Sequence, residues 1–263
     1  MEYKYLGNTR LHIPEIGLGT WAYTGGVEPL RRGVELGAFL IDTAENYGTE
    51  PDVGRAIRGI RDSVFVATKV SPEHFRREDV KRAADQSLKL LGIDYIDLYQ
   101  LHWPSPRIPI DETMDAMESL VEAGKVKFIG VSNFSVTQLQ QAQAALTKSR
   151  VVSNQVKYSL AARDIEDDLL PFCQENHITV IAYSPLAVGV NRIVNRDSKG
   201  AIEKIAAETG RTAAQIALNW CICKEAVIAI PKANQLEHVE ENCQASGWRL
   251  SVEHLELLDM SFK

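Results

Sequence analysis

Eight short apolar runs, separated by stretches with helical signals, constrain this chain more than any other feature. The runs are Glu15–Gly19, Phe39–Ile41, Val64–Lys69, Tyr95–Leu101, Val126–Val131, Val151–Val156, Ile178–Ala182 and Ala226–Ile230. Their apolar, β-rich character suits buried strands. Between them, residues 78–91 place Val80, Ala83, Ala84, Leu88 and Leu91 on one helical face, and residues 111–123 do the same with Met114, Met117, Leu120 and Val121. Ser135 with Gln138, and Thr212 with Gln215, have capping-box spacing. Gly92, Gly124 and Gly210 stand where helices should stop.

Strands alternating with helices pair in parallel through helical crossovers. Eight such units in a chain of 263 residues fit a closed (β/α)8 TIM barrel, whose usual length is about 250 residues. Without a linker or composition break, residues 1–263 read as one α/β domain. An N-terminal β-hairpin precedes the barrel, with Gly7-Asn8 as a tight turn of positive φ, and a last helix near 251–261 follows it.

Charge and composition exclude several functions. The net charge of −6 leaves no basic footprint for nucleic acid. No apolar run reaches the length of a membrane span, and the N-terminus shows no signal core. Cys173, Cys221, Cys223 and Cys243 lack metal spacing and read as thiols in a reducing compartment, which points to the cytoplasm. His12, His74, His177 and His254 read as surface or structural side chains, and no metal is expected.

The chemistry of such a barrel gathers at the C-terminal ends of its strands. There the sequence sets Thr20-Trp21, Asp42 through Tyr47, Lys69, His102-Trp103, Ser132-Asn133, Asn154-Gln155, Tyr183-Ser184 and Lys232. Asp42, Tyr47, Lys69 and His102 form a rational proton-donor set. A phenol is a poor acid at neutral pH, and an ammonium beside it lowers its pKa. Lys69 can play that part, Asp42 can hold Lys69 charged, and His102 can bond the reacting oxygen. Protonating a carbonyl oxygen is half of a reduction, and the hydride must come from a cofactor. Glu45 neighbours this set and could assist acid–base work, but reads rather as a solvated loop carboxylate.

Several motifs, in order along the chain, resemble those of the aldo-keto reductases. They are Gly17–Trp21, Asp42–Gly48, Ala67–Lys69, Leu98–Trp103, Ile129–Phe134, Asn154-Gln155, Ala182–Leu186 and Ile230–Lys232 through Asn242. The resemblance implies reduction of aldehydes and ketones with NADPH, or NADH as the alternative, with Asp42, Tyr47, Lys69 and His102 as the catalytic tetrad and Tyr47 as general acid. It sets Ser132, Asn133 and Gln155 on the nicotinamide carboxamide, with Tyr183 stacked on the ring. Gly19, Thr20, Trp21 and Asp42 would also border the cofactor. Ser184 and Leu186 would follow the pyrophosphate. Lys232, Asn234, His238, Glu241 and Asn242 would hold the adenosine end. Trp21 and Trp103, with Tyr47 and His102, would bound the substrate space.

Two departures from the family pattern bear on specificity. His238 stands where relatives commonly carry an arginine for the 2′-phosphate, which weakens the preference for NADPH. The chain stops at Lys263, just past its last helix, without the tail that covers the pocket in many relatives. A more open pocket is therefore expected.

Three rival readings have specific weaknesses. Gly17–Ala22 formally fits a dinucleotide fingerprint with Asp42 following, but Tyr23–Gly26 separates the glycines from the next helix, expected near Pro29. A cofactor-binding regulatory subunit has no need of a complete tetrad. Metal-assisted hydrolysis or phosphate-ester isomerisation needs clustered ligands or a glycine-rich phosphate loop, and Ala187–Val190 is a poor candidate for the latter. A monomer acting on a small carbonyl substrate is the expectation. Neither the substrate nor the physiological direction is encoded in these motifs.

Overall fold

Strand pairing runs unbroken around a single eight-stranded parallel sheet. The computed structural model describes residues 1–262. The hairpin strands are β1 (Tyr3–Tyr5) and β2 (His12–Pro14). The barrel strands are β3 (Leu18–Gly19), β4 (Leu40–Asp42), β5 (Phe65–Val70), β6 (Ile96–Leu101), β7 (Val126–Ser132), β8 (Val151–Lys157), β9 (Thr179–Tyr183) and β10 (Val227–Ala229). Each pairs in parallel with its sequence neighbours. The seam closes where Ile16 bridges Ala229, with Gly17 N donating to Ala229 O and Ala229 N to Glu15 O. The expected first strand, 15–19, thus does its pairing along this seam, although only two of its residues form regular strand.

The crossovers carry α1 (Glu28–Glu35), α2 (Glu50–Ile57), α3 (Arg77–Leu91), α4 (Ile110–Glu122), α5 (Val136–Ala144) and α6 (Leu169–Glu175). Three helices, α7 (Val190–Val194), α8 (Ala201–Thr209) and α9 (Ala213–Cys223), lie between β9 and β10. Then come α10 (Leu236–Cys243) and α11 (Val252–Ser261). Both capping boxes form, at Ser135 and Thr212. Gly92 and Gly210 end α3 and α8 in the left-handed conformation. α1 opens only at Glu28, with proline in its first turn. No helix therefore starts at Gly17–Gly19, and the dinucleotide-fingerprint reading fails on geometry.

The hairpin turn differs from expectation. Residues 6–11 join the two strands, and only Gly7 (φ 53°) has positive φ. The physical reason lies beneath it. Gly7 N donates to Thr179 Oγ1 at 2.7 Å, and a Cβ on Gly7 would stand 2.6 Å from Val152 O. The turn is shaped by docking on the barrel floor rather than by hairpin twist.

That docking also completes the inner core. Leu6 and Ile13 of the hairpin pack with Leu40, Phe65, Ala67, Leu98, Val152, Ile181, Ile228 and Ile230. The interior is apolar at this end. Two residues further along the same faces it becomes polar, as strand periodicity requires. Leu40 gives way to Asp42, Ala67 to Lys69, Leu98 to Gln100 and then His102. All these polar side chains are buried.

Candidate active site

Three strand ends, those of β4, β5 and β6, deliver the expected quartet to one mouth, with Asp42 and Tyr47 both following from β4. Lys69 has no exposed surface, and its Nζ donates to Asp42 Oδ1 at 2.6 Å and to Thr43 O at 2.9 Å. The other carboxylate oxygen, Oδ2, accepts from Gln155 Nε2 at 2.7 Å and from Gln100 Nε2 at 3.2 Å. A buried carboxylate needs such donors, since unshared charge in a dry interior is costly.

Tyr47 sits on the 3₁₀ turn Glu45–Tyr47 that follows β4. Its hydroxyl lies 3.3 Å from His102 Nε2, with the rings edge to face at 5.4 Å. Lys69 Nζ stands 4.9 Å from the Tyr47 ring centroid. His102 is anchored by its own backbone, its N–H donating to Val70 O at 3.0 Å.

The electrostatics correct one expectation. Lys69 does not bring the Tyr47 pKa below its ordinary value here. Burial first, then the Asp42 and Tyr183 charges, pushes the phenol above its ordinary value. Asp42, 2.6 Å from the ammonium, offsets part of its pull on the hydroxyl. Burial also lowers the Lys69 pKa, against the pull of Asp42. Burial, with Lys69 adding to it, brings His102 down to about 4. At neutral pH Tyr47 is therefore a protonated phenol and His102 a neutral imidazole. His102 Nδ1 is buried without a hydrogen-bond partner among the described residues. Orphaned acceptors are commoner than orphaned N–H groups, which assigns the proton to Nε2, facing Tyr47.

A second polar group adjoins the first. Ser132 Oγ donates to Gln155 O at 2.8 Å. Asn133, with φ 62°, donates from Nδ2 to His102 O at 3.2 Å and to Ser132 Oγ at 3.0 Å. The Tyr183 hydroxyl donates to Asn133 Oδ1 at 3.1 Å, which hooks the half-buried ring in place. Gly130 leaves room for this arrangement, since a Cβ there would stand 2.5 Å from Ser153 Oγ and 2.9 Å from Gln100 Cγ.

The remaining predicted residues divide by exposure. Trp21 and Trp103 are among the exposed large side chains, as a substrate wall would be. Thr20 is fully buried, its hydroxyl donating to Asp42 O at 2.9 Å and sharing a hydrogen bond with Thr49, so its side chain is not presented to a ligand. Gly19 is buried beside it. Past β9, Ser184, Ala187, Val188 and Gly189 all have positive φ, with half-buried Leu186 among them. Strained backbone of this kind concentrates at ligand sites, and mixed handedness shapes anion-binding concavities. Lys232 and His238 are exposed, Glu241 is half-buried and Asn242 buried on α10. The Asn234 side chain accepts from Thr24 N at 3.1 Å, tying the first and last barrel loops together.

Sequence reading missed Gln100 and misjudged Glu45. Gln100 was legible in principle, because it lies two residues before His102 and so shares its face. Glu45 is only partly solvated, its side chain 15% exposed: its Oε1 accepts from Ser71 N at 2.5 Å and lies 3.0 Å from His74 Nδ1.

A closed parallel barrel with a buried lysine–carboxylate pair, a protonated phenol and a neutral imidazole at its C-terminal mouth is the architecture of a proton-donating enzyme site. The aldo/keto reductase family model matches residues 15–261, and the chain belongs to that family. It is 40% identical over 262 residues to a methylglyoxal reductase of Escherichia coli, covering 95% of this chain and 91% of the relative. A thermostable aldo-keto reductase solved with the inhibitor epalrestat is similar at 42% identity and a TM-score of 0.93, over 99% of both chains. An aldo-keto reductase from Klebsiella pneumoniae in complex with NADPH is similar at 41% identity and a TM-score of 0.92, covering 100% of this chain and 96% of that one.

Proposed function

We propose that this chain reduces small aldehydes and ketones to alcohols with NADPH, and with NADH as the weaker alternative, using Tyr47 as general acid. The observation that carries this reading is the Tyr47 hydroxyl 3.3 Å from His102 Nε2, beside the buried Lys69–Asp42 pair. A complete proton-donor set of this kind, with three of its four side chains buried, favours turnover over a purely regulatory role.

The residues present fit a nicotinamide cofactor. Ser132, Asn133 and Gln155 offer the donors and acceptors a carboxamide requires. Tyr183, fixed through its hydroxyl, offers a flat face. The strained backbone of 184–189, with Ser184 and Leu186, suits a pyrophosphate. Lys232, Asn234, His238, Glu241 and Asn242 would hold the adenosine end, with Lys232 as the cation for a 2′-phosphate. A reduced nicotinamide, when bound, supplies the hydride.

The chain's own groups supply the proton and the geometry. The His102 Nε2–H bonds the carbonyl oxygen and orients it toward Tyr47. The Tyr47 hydroxyl donates its proton as negative charge builds on that oxygen, which is when a high-pKa phenol becomes an effective donor. Lys69 stabilises the phenolate left behind, and Asp42, Gln100 and Gln155 keep Lys69 in place. Trp21 and Trp103 bound an apolar approach for the substrate.

Small dicarbonyls such as methylglyoxal are the first substrates to test, given the named activity of the E. coli relative. All four tetrad side chains come from one chain, which supports a monomer as the working unit, with residues 1–263 as one catalytic domain. Four free cysteines support a reducing, cytoplasmic setting.

The test is fluorescence titration with NADPH and NADH, followed by 4-nitrobenzaldehyde and methylglyoxal at the reduced-nicotinamide absorbance. Cofactor oxidation is expected. In Tyr47→Phe it should fall by at least ~10²-fold with cofactor affinity retained. Near-full activity in that variant would remove Tyr47 from its role, and no binding of either nucleotide would overturn the function.

A further inference from the structure

Tyr47 stands on a three-residue turn rather than on a strand, so no sheet ladder fixes it. Turns of that kind open at low free energy unless side chains tie them down. Two carboxyl groups do so here, and proton donation itself uses neither. Glu45, two residues before Tyr47, accepts from Ser71 N at 2.5 Å and meets His74 Nδ1 at 3.0 and 3.2 Å. Glu50, three residues after it, accepts from Thr68 Oγ1 at 2.7 Å.

Thr68 and Ser71 flank Lys69, one residue before it and two after. The turn that carries the proton donor is therefore bound at both ends to the segment that carries the lysine. Glu50 is 1% exposed, and its Oε2 has no partner among the described residues. Burial pushes its carboxyl above the ordinary carboxylate value, despite the opposing hydrogen bond from Thr68. An almost fully buried, half-satisfied carboxyl is a costly way to hold a helix start, where an exposed serine or aspartate cap would serve.

We propose that Glu45 and Glu50 are positioning residues, a two-point clamp that fixes the Tyr47 hydroxyl relative to Lys69 and His102 and so sets turnover rather than binding. The clamp rests on the reading of Tyr47 as proton donor. Both carboxyls act through the backbone of the turn.

The experiment measures kcat, KM for NADPH and carbonyl, the pH profile of kcat, and Tm. It covers Glu45→Ala, Glu45→Gln, Glu50→Ala, Glu50→Gln and Thr68→Val, with Tyr47→Phe alongside. Displacing a reacting group by 1 Å can cost on the order of a hundredfold, so partial release of the turn should lower kcat about tenfold in each alanine variant. KM for NADPH should stay within about twofold, and the pH profile should shift as the donor's surroundings change. Glutamine keeps a carbonyl acceptor for Ser71 N or Thr68 Oγ1, so both glutamine variants should recover most of kcat. Thr68→Val removes the Glu50 contact while conserving shape. It should reproduce the Glu50→Ala loss, and the double variant should be no worse than the worse single, because both remove one interaction. If Glu50→Ala does not fold, Thr68→Val and Glu45→Ala decide the matter.

Parental kcat and pH profile in the alanine and Thr68→Val variants would overturn the clamp, however far Tm falls. So would glutamine variants as impaired as the alanine ones. Activity in Tyr47→Phe would instead overturn the general-acid reading. An inactive Tyr47→Phe beside fully active clamp variants would overturn the clamp alone.

Discussion

Replacing Lys69 by methionine tests the electrostatic core of the site. The substitution nearly conserves volume, so lost packing contributes little. The ion pair is the loss. Lys69 is fully buried and the Asp42 side chain is 3% exposed, with Nζ and Oδ1 2.6 Å apart. Removing one partner of such a pair leaves the other charge uncompensated, at a cost of about 3–5 kcal/mol. Gln100 and Gln155 still donate to Asp42, which holds the loss within that range rather than above it. At about 2.1 cal/mol/K per residue, unfolding this 263-residue chain releases about 0.55 kcal/mol/K, so Tm should fall by about 5–9 °C. Differential scanning calorimetry at pH 7 reads this directly. Adding Asp42→Asn to Lys69→Met removes the stranded charge and should recover more than half of the loss. A single variant as stable as the parent, or a double variant no better than the single, would refute the account of a compensated buried charge.

Two further expectations concern pH and loop anchoring. Because burial brings His102 down to about 4, kcat for reduction should show no break between pH 5 and 8 from this residue, and a break near 6.5 abolished in His102→Gln would contradict the neutral-imidazole assignment. The same shift makes the unfolded chain bind the proton first, so His102 lowers stability progressively as pH falls from 6.5 toward 4, which urea midpoints compared with His102→Gln can detect. Glu118 on α4 accepts from the backbone N–H groups of Thr147, Lys148 and Ser149 and from the Thr147 hydroxyl, so Glu118→Ala should cost about 2–4 kcal/mol in urea unfolding. Those hydrogen bonds outweigh burial and hold the Glu118 carboxyl down at about 2, so its stabilisation is complete above pH 4.5 and lost as pH falls toward 2; a Glu118→Gln variant with the parent's slope between pH 5 and 3 would contradict this.

The barrel strands were legible because most of their residues are buried on both faces, and that condition writes a largely apolar run into the chain. The helix starts at Ser135 and Thr212 were legible because a capping box is a contact between residues three apart. The Gly7 turn was not, since its shape answers to Val152 and Thr179, far away in sequence. Glu45 failed for the same reason: its partners, Ser71 and His74, come from the next βα unit.

The amino-acid sequence by itself therefore determined the repeating strand–helix plan and which side chains stand at the strand ends, because both follow from periodicities of two and 3.6 residues. Only the tertiary structure decided their charge states. Tyr47 stays protonated because burial and the Asp42 charge disfavour its phenolate, and His102 stays neutral because burial and the Lys69 charge disfavour its imidazolium. Those fields come from groups on different strands, and their balance changes over ångströms that no spacing along the chain records.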